Sequence, residues 1–223
     1  MPQEPGALRR RLSNIAVATT GPGPTSPSPR KSQGWGLVAT LAVLLGIMTV
    51  GAVLLSPGVP GVRSAIRLTA RTSLLLFLLT FTASAAWRRW PGAWTRWQLA
   101  NRRYLGLSFA VSHGWHLAVI VAFTHLAPLQ FDQASNPHTR FVGEIGYVFV
   151  FAMAATSFDA SAAWLGRRGW KILHTTGAWY LWLVFLLSYA SRAVHDPHYW
   201  TGVAVVLGAL AVRMAPVRRP AAG

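Results

Sequence analysis

The sequence contains no cysteine in its 223 residues and only five Asp and Glu, against 21 Lys and Arg. Without cysteine, disulfides, thiolate nucleophiles, thiolate metal sites and iron–sulfur clusters are excluded. The scarcity of carboxylates disfavours a bundle metal site, because such sites usually draw on several Glu or Asp side chains. Fingerprints for nucleotides are also missing: there is no P-loop and no G-x-G-x-x-G after a strand. We therefore expect no flavin or nicotinamide site in this chain.

What the sequence does contain is a set of long uncharged apolar stretches separated by basic clusters, with 52% hydrophobic residues and a formal net charge of +16. A basic chain can indicate nucleic-acid binding, but here the basic residues lie between stretches that a soluble protein would leave exposed. Eleven tryptophans, many beside the basic clusters, resemble the aromatic belts of membrane–water interfaces. The pattern predicts an integral membrane protein with the lipid bilayer as its partner and no nucleic acid.

The hydropathy pattern predicts an all-α, multi-pass bundle. Residues 1–33 are polar and rich in Pro, Ser and Gly, so we expect a disordered basic tail. Residues 34–217 would form the membrane domain, and residues 218–223 a short basic tail. Six spans are predicted, at about 36–55, 68–87, 104–126, 141–165, 172–191 and 199–217. The last is interrupted by Arg213, so five spans remain an alternative.

The distribution of basic residues predicts the orientation of these spans. With the N-terminus inside, 16 of the 21 Lys and Arg residues fall on the inner side. Positive residues are retained on the cytoplasmic side of membranes. We therefore expect both termini to be cytoplasmic.

Three histidines fall within the predicted spans. His113 and His116 lie ~15 and ~20 Å beyond Arg103 along one helix face, and His174 lies ~9 Å beyond Arg168 on another span. Ionisable groups at this depth are costly and usually serve ligation, proton movement or charge compensation. Facing imidazoles are what a b-type haem needs. Alternatives are a non-haem metal, joined by Asp159, and plain hydrogen bonding between helices.

Two runs give the sequence a family resemblance. RRYLGLSFAVSHGWH resembles the third span, and TSFDASAAWLGRRGWKILHTTGAWYLW the fourth-to-fifth span connection, of bacterial ferric-reductase-like transmembrane domains. These include the haem-binding membrane subunit of the periplasmic methionine-sulfoxide reductase system. RLTARTSLLLFLLT is a weaker match.

The resemblance implies a six-helix b-haem domain that passes electrons across a bacterial-type inner (plasma) membrane, with His116 and His174 as axial ligands. Two-haem members pair histidines about thirteen residues apart on each span, but here those partner positions hold Arg103 and Leu187. We therefore expect one haem at most. Nominal depth matches His113 better to His174, whereas the resemblance favours His116, so both stay candidates for the haem iron.

Arg71 is a candidate partner for a haem propionate, with interfacial anchoring as the alternative. His195 and His198, on a predicted outer loop, are a weaker candidate metal contact. With no nucleotide module, electrons would come from a separate protein, a quinol or a small reductant, and would pass to an outer-face acceptor. The alternatives are a haem-free membrane subunit or scaffold and, less favoured for want of carboxylates, a proton-coupled transporter.

Overall fold

The computed structural model describes residues 31–135 and 137–216, so the predicted terminal tails lie almost wholly outside the described residues. This part of the chain consists of helices joined by short turns and contains no strand. Eight α-helices follow one another: α1 Lys31–Leu55, α2 Val59–Arg89, α3 Ala93–Ala100, α4 Arg102–Leu126, α5 Pro128–Ala134, α6 Pro137–Ala155, α7 Asp159–Ala193 and α8 Trp200–Met214. A 3-10 turn, Pro197–Tyr199, precedes α8.

Four helices have the length and apolar composition needed to cross a membrane: α1 from Gly34, α2, α4 and α7. They contain the predicted first, second, third and fifth spans. Large apolar side chains of α1 stay exposed, including Ile47 at 64% and Leu54 at 72%, as expected of a surface that faces lipid. The multi-helix membrane character is thus confirmed, while the count of six spans and the orientation stay predictions.

The other two predicted spans differ from the helices observed. The predicted fourth span, 141–165, is wrong in its second half, because α6 ends at Ala155 and a turn follows. Arg140 and Glu144 also lower the hydropathy of the first turns of α6. The predicted sixth span corresponds to α8, which has only 15 residues, or ~22 Å of helix, against a hydrocarbon core of ~30 Å.

The helices run up and down between two ends of the bundle. At the Val59 end, α2 begins and α4 ends; at the Arg89 end, α2 ends and α4 and α7 begin. At the Arg89 end, the Arg103 guanidinium forms a 2.9 Å ion pair with Asp159. At the Val59 end, Gly58 turns the chain with φ 81°, a conformation that favours glycine.

The core is aromatic and lies between α2, α4, α7 and α8. Phe77 packs against Phe109 and Phe185, with ring centroids 5.5 and 5.3 Å away. Phe81 meets the Trp179 ring edge-on at 5.5 Å. These buried rings hold α7 against α2 and α4.

A break at Gly166 divides α7 into two helical pieces. Gly166 has φ 72° and ψ 159°, so residues 159–165 and 167–193 form two helical pieces. The second piece is an uninterrupted helix through His174 and Phe185, which allows distances along it to be counted in residues.

Candidate functional site

The first part of the site is the pair of histidines on α4. The rings of His113 and His116 lie 5.4 Å apart between centroids, with 30° between their planes. His116 Nδ1 lies 2.9 Å from Thr69 Oγ1 on α2. Thr69 is only 1% exposed and donates its own proton to the Ala65 carbonyl at 2.7 Å. Thr69 therefore accepts a hydrogen bond from His116 Nδ1–H, which leaves the lone pair on Nε2.

A seam of small hydroxyl residues brings α2 and α4 close enough for this contact. Ser112 Oγ lies 2.9 Å from Ser73 Oγ and 3.1 Å from Thr72 Oγ1. Ser73, Ser108 and Ser112 are fully buried. Small polar residues allow membrane helices to approach and hydrogen-bond across the interface. The seam thereby determines which residue of α2 faces His116.

His113 lies in a less well satisfied environment. Its ring is 4.8 Å from that of Tyr147 on α6 and 6.1 Å from that of Phe185 on α7. His113 Nδ1 and the Tyr147 hydroxyl are both buried without a hydrogen-bond partner. An unsatisfied buried polar group costs about 1–3 kcal/mol, and in a native protein it calls for an explanation such as a bound group. Two such groups side by side mark a candidate ligand position.

His174 lies apart from the α4 histidines. Its Nε2 is 3.1 Å from Thr156 Oγ1, and its ring stacks on Trp170 at 4.2 Å. Thr156 donates to the Ala152 carbonyl at 2.7 Å. Thr156 therefore accepts from His174 Nε2–H, so His174 is held through Nε2, whereas Thr69 holds His116 through Nδ1.

The separation in depth can be read along two helices. Tyr147, beside His113, precedes Thr156, beside His174, by nine residues of α6 and the following turn. Phe185, also beside His113, follows His174 by eleven residues of α7. At 1.5 Å per residue these spacings are ~14 and ~16 Å. The structure therefore does not bring His174 to the α4 histidines. In this arrangement, His174 and an α4 histidine cannot both bond to one iron atom.

Two arginines, Arg71 and Arg192, lie near Tyr189 in the half of the bundle towards the Val59 end, and Arg192 is the one near His116. Arg192 is close enough to interact electrostatically with His116. Arg71 and Arg192 both act in the same way on Tyr189. In the described residues the two ion pairs are Arg103–Asp159 and Arg140–Asp132, so neither arginine is neutralised by a carboxylate there. These guanidiniums could hold the carboxylates of a bound group.

The two positions where the resemblance implies partner histidines have other roles. Arg103 forms an ion pair with Asp159. Leu187 is 53% exposed, and thirteen residues of helix place it on the side of α7 away from His174. The α7 side chain that meets His113 is Phe185.

The other candidates are not drawn into the site. His195 and His198 are exposed, and Asp196 accepts a 3.0 Å hydrogen bond from the His198 backbone N–H. Over residues 31–135 and 137–216, no three His, Asp or Glu side chains converge as a metal site would require. The non-haem metal alternative therefore has no support from the described residues.

Comparison of the chain with protein-family models, with curated proteins and with solved structures finds no match in any of the three. The resemblance to ferric-reductase-like transmembrane domains therefore stays a prediction.

A haem fits these residues in part. Thr69 uses Nδ1 of His116 and not Nε2, and Arg71 and Arg192 offer positive charge for propionates. A second histidine at the same depth is absent from the described part of α7. The residues thus fit a haem held by one α4 histidine near the Val59 end and do not fit one shared with His174.

Sequence reasoning missed four residues of this site: Thr69, Tyr147, Phe185 and Arg192. Arg192 and Phe185 could have been found, because they follow His174 by eighteen and eleven residues and share its helix face. Thr69 and Tyr147 carry no such signal, since their places depend on how α2 and α6 pack against α4.

Proposed function

We propose that the chain is a membrane-embedded b-type cytochrome that holds one haem beside α4, in the half of the bundle near the Val59 end. The observation that carries this proposal is the hydrogen bond from His116 Nδ1 to Thr69 Oγ1. It leaves Nε2 as the nitrogen that would bind the iron. Proteins commonly orient a metal-bound imidazole in this way, through a hydrogen bond from its other ring nitrogen to a neighbouring residue. His113, with its unpartnered Nδ1, remains the competing ligand.

Each nearby residue has a defined part in this proposal. Thr69 orients the His116 ring and selects its tautomer. Arg71 and Arg192 would neutralise propionates. The rings of Phe109, Phe77 and Phe185 exclude water from the interior of the bundle. A bound haem would supply one-electron redox chemistry, and the protein would set its potential through ligation, burial and nearby charge. The electron donor and the outer-face acceptor would be separate molecules.

The test is haem content per polypeptide and the absorption spectrum of the full chain, purified from membranes. We expect a Soret band and an α band that shifts on reduction by dithionite. His116→Ala should remove most of the haem, while the matched variant His174→Ala should retain it. A full chain without a Soret band would end the proposal, and loss of haem in His174→Ala alone would place the site at the other end.

A second candidate function is a haem-free membrane subunit or scaffold. The observation that favours it is that Thr69 and Thr156 already engage His116 and His174, as interhelical hydrogen bonds do in membrane bundles. Under this alternative, replacing all three histidines by alanine should leave partner association intact. Co-purification of partners with this triple variant from membranes distinguishes the two functions.

A further inference from the structure

A cleft of about 250 Å³ lies at the Arg89 end of the bundle, remote from the α4 histidines. It is bounded by the end of α2, the start of α4, the middle of α7 and the end of α8. Its polar lining consists of Ser84, Arg88, Arg102 and Arg213, and Trp179 forms part of the apolar wall. Three guanidiniums from three different helices therefore meet in one small cavity.

Arg213 is fixed in place by contacts other than ion pairs, since no acidic side chain of residues 31–135 and 137–216 pairs with it. Its Nη1 donates to the Phe81 carbonyl at 2.8 Å, and its guanidinium lies 4.2 Å from the Phe81 ring centroid and 5.2 Å from that of Trp179. These contacts fix the orientation of the Arg213 guanidinium before any ligand binds. A bound anion would therefore meet an already oriented donor, which lowers the entropy lost on binding.

The other two arginines add positive charge to the same space. Arg102 Nη1 donates to Ser84 Oγ at 3.1 Å. Arg102 and Arg88 both act electrostatically on Arg213. The carboxylates of the described residues are Asp132, Glu144, Asp159 and Asp196, and none of them lines the cleft. The three guanidiniums repel one another in the cleft, where they are only partly hydrated. An anion bound between them would remove this repulsion and would itself be attracted by all three charges.

We propose that this cleft binds the phosphate of an anionic phospholipid headgroup. Arginine pairs with phosphate through two parallel N–H donors, and basic pockets between membrane helices recognise acidic headgroups. The depth fits as well, because α3 begins next to the cleft end of α2 and carries Trp94 and Trp97, stacked at 5.0 Å and both exposed. Exposed tryptophans of this kind lie at the headgroup level of a bilayer.

The experiment measures retention of phosphatidylglycerol by the full chain, by native mass spectrometry after purification in a non-ionic detergent. We expect about fivefold weaker binding for each of Arg88→Gln, Arg102→Gln and Arg213→Gln, following the usual contribution of one basic residue near a membrane surface. The matched control is Arg96→Gln, which removes the same charge at the same end. Arg96 lies over the Trp87 ring and does not line the cleft. Equal retention in cleft and control variants would overturn the proposal.

Two further measurements distinguish a phospholipid headgroup from free phosphate and guard the test against misfolded variants. Arg88 is exposed, and within the described residues it makes no contact comparable to that of Arg213 with Phe81. Arg88→Gln therefore keeps the test valid where Arg213→Gln unfolds. We expect inorganic phosphate at the same concentration to leave the lipid bound. Full displacement by inorganic phosphate would mean a soluble-anion site. We expect His116→Ala, in which the cleft arginines are intact, to retain the lipid. Loss of the lipid in this variant would mean that it binds beside the α4 histidines and not in the cleft, and either result rejects the proposed site.

Discussion

Thr69 Oγ1 on α2 lies 2.9 Å from His116 Nδ1 on α4, although the two residues are 47 positions apart in sequence. The contact lies inside the half of the bundle near the Val59 end. Because the Thr69 proton is used by the Ala65 carbonyl, the contact orients the imidazole and also selects its tautomer. Under the proposed function this hydroxyl would position the His116 ligand, and its effect can be measured separately from that of His116.

The first prediction concerns this positioning role. Thr69→Val removes the hydroxyl while keeping the shape of the side chain, so the buried Nδ1–H of His116 loses its acceptor. We expect a loss of about 1–3 kcal/mol in the free energy of unfolding, together with a changed Soret maximum in the haem-bound chain. Thr80→Val is the matched control, because Thr80 Oγ1 donates to the Leu76 carbonyl and contacts no histidine. Equal effects from the two variants would show that the hydroxyl only serves its own helix.

The second prediction concerns Tyr147, whose hydroxyl is buried without a partner next to His113. Tyr147→Phe removes the unsatisfied group and keeps the ring contact. In the cofactor-free chain we expect an increase of about 1–3 kcal/mol in the free energy of unfolding. The measurement is the midpoint of thermal unfolding after expression under haem limitation. A destabilised variant would show that the hydroxyl has a partner in the cofactor-free protein.

The third prediction tests the close approach between the ends of α1 and α2. A Cβ added at Gly61 would lie 2.0 Å from the Ser56 carbonyl oxygen and 3.0 Å from that of Ala52. Backbone atoms cannot move aside as a flexible side chain can, so Gly61→Ala should destabilise the bundle by about 1–3 kcal/mol. Gly51→Ala in α1 has open space around it and should instead stabilise its helix by up to ~1 kcal/mol. Thermal unfolding of the two variants in detergent should show opposite shifts.

The fourth prediction concerns the Arg103–Asp159 ion pair, whose side chains are 36% and 81% exposed. Exposed pairs contribute about 0.2–1 kcal/mol and are screened by salt. A double-mutant cycle with Arg103→Gln and Asp159→Asn should therefore give a coupling in this range that shrinks at high ionic strength. A coupling above ~2 kcal/mol, unaffected by salt, would mean that the pair is far less hydrated than its exposure indicates.

Much of the fold could be predicted from the sequence because hydropathy and charge act locally. The apolar runs around Leu45, Leu76 and Val119 each suffice to define a helix that can cross a membrane. The main error was the end of the fourth span, which was predicted at residue 165 whereas α6 ends at Ala155. The turn that follows, Thr156, Ser157 and Phe158, contains no glycine or proline that would have indicated the end of a helix. Similarly, the helical period alone places His113 and His116 on one face.

By itself, then, the sequence determined the all-helical membrane character, the four long apolar helices and the shared face of the α4 histidines. Only the tertiary structure decided which residues meet across helices: Thr69 with His116, Tyr147 with His113, Arg103 with Asp159. The physical reason is that the relative register of two helices depends on how their surfaces pack. Between α2 and α4 that register comes from small buried serines. The packing of α6 and α7 against α4 places Tyr147 and Phe185 beside His113, although nominal depth in the sequence matches His113 to His174.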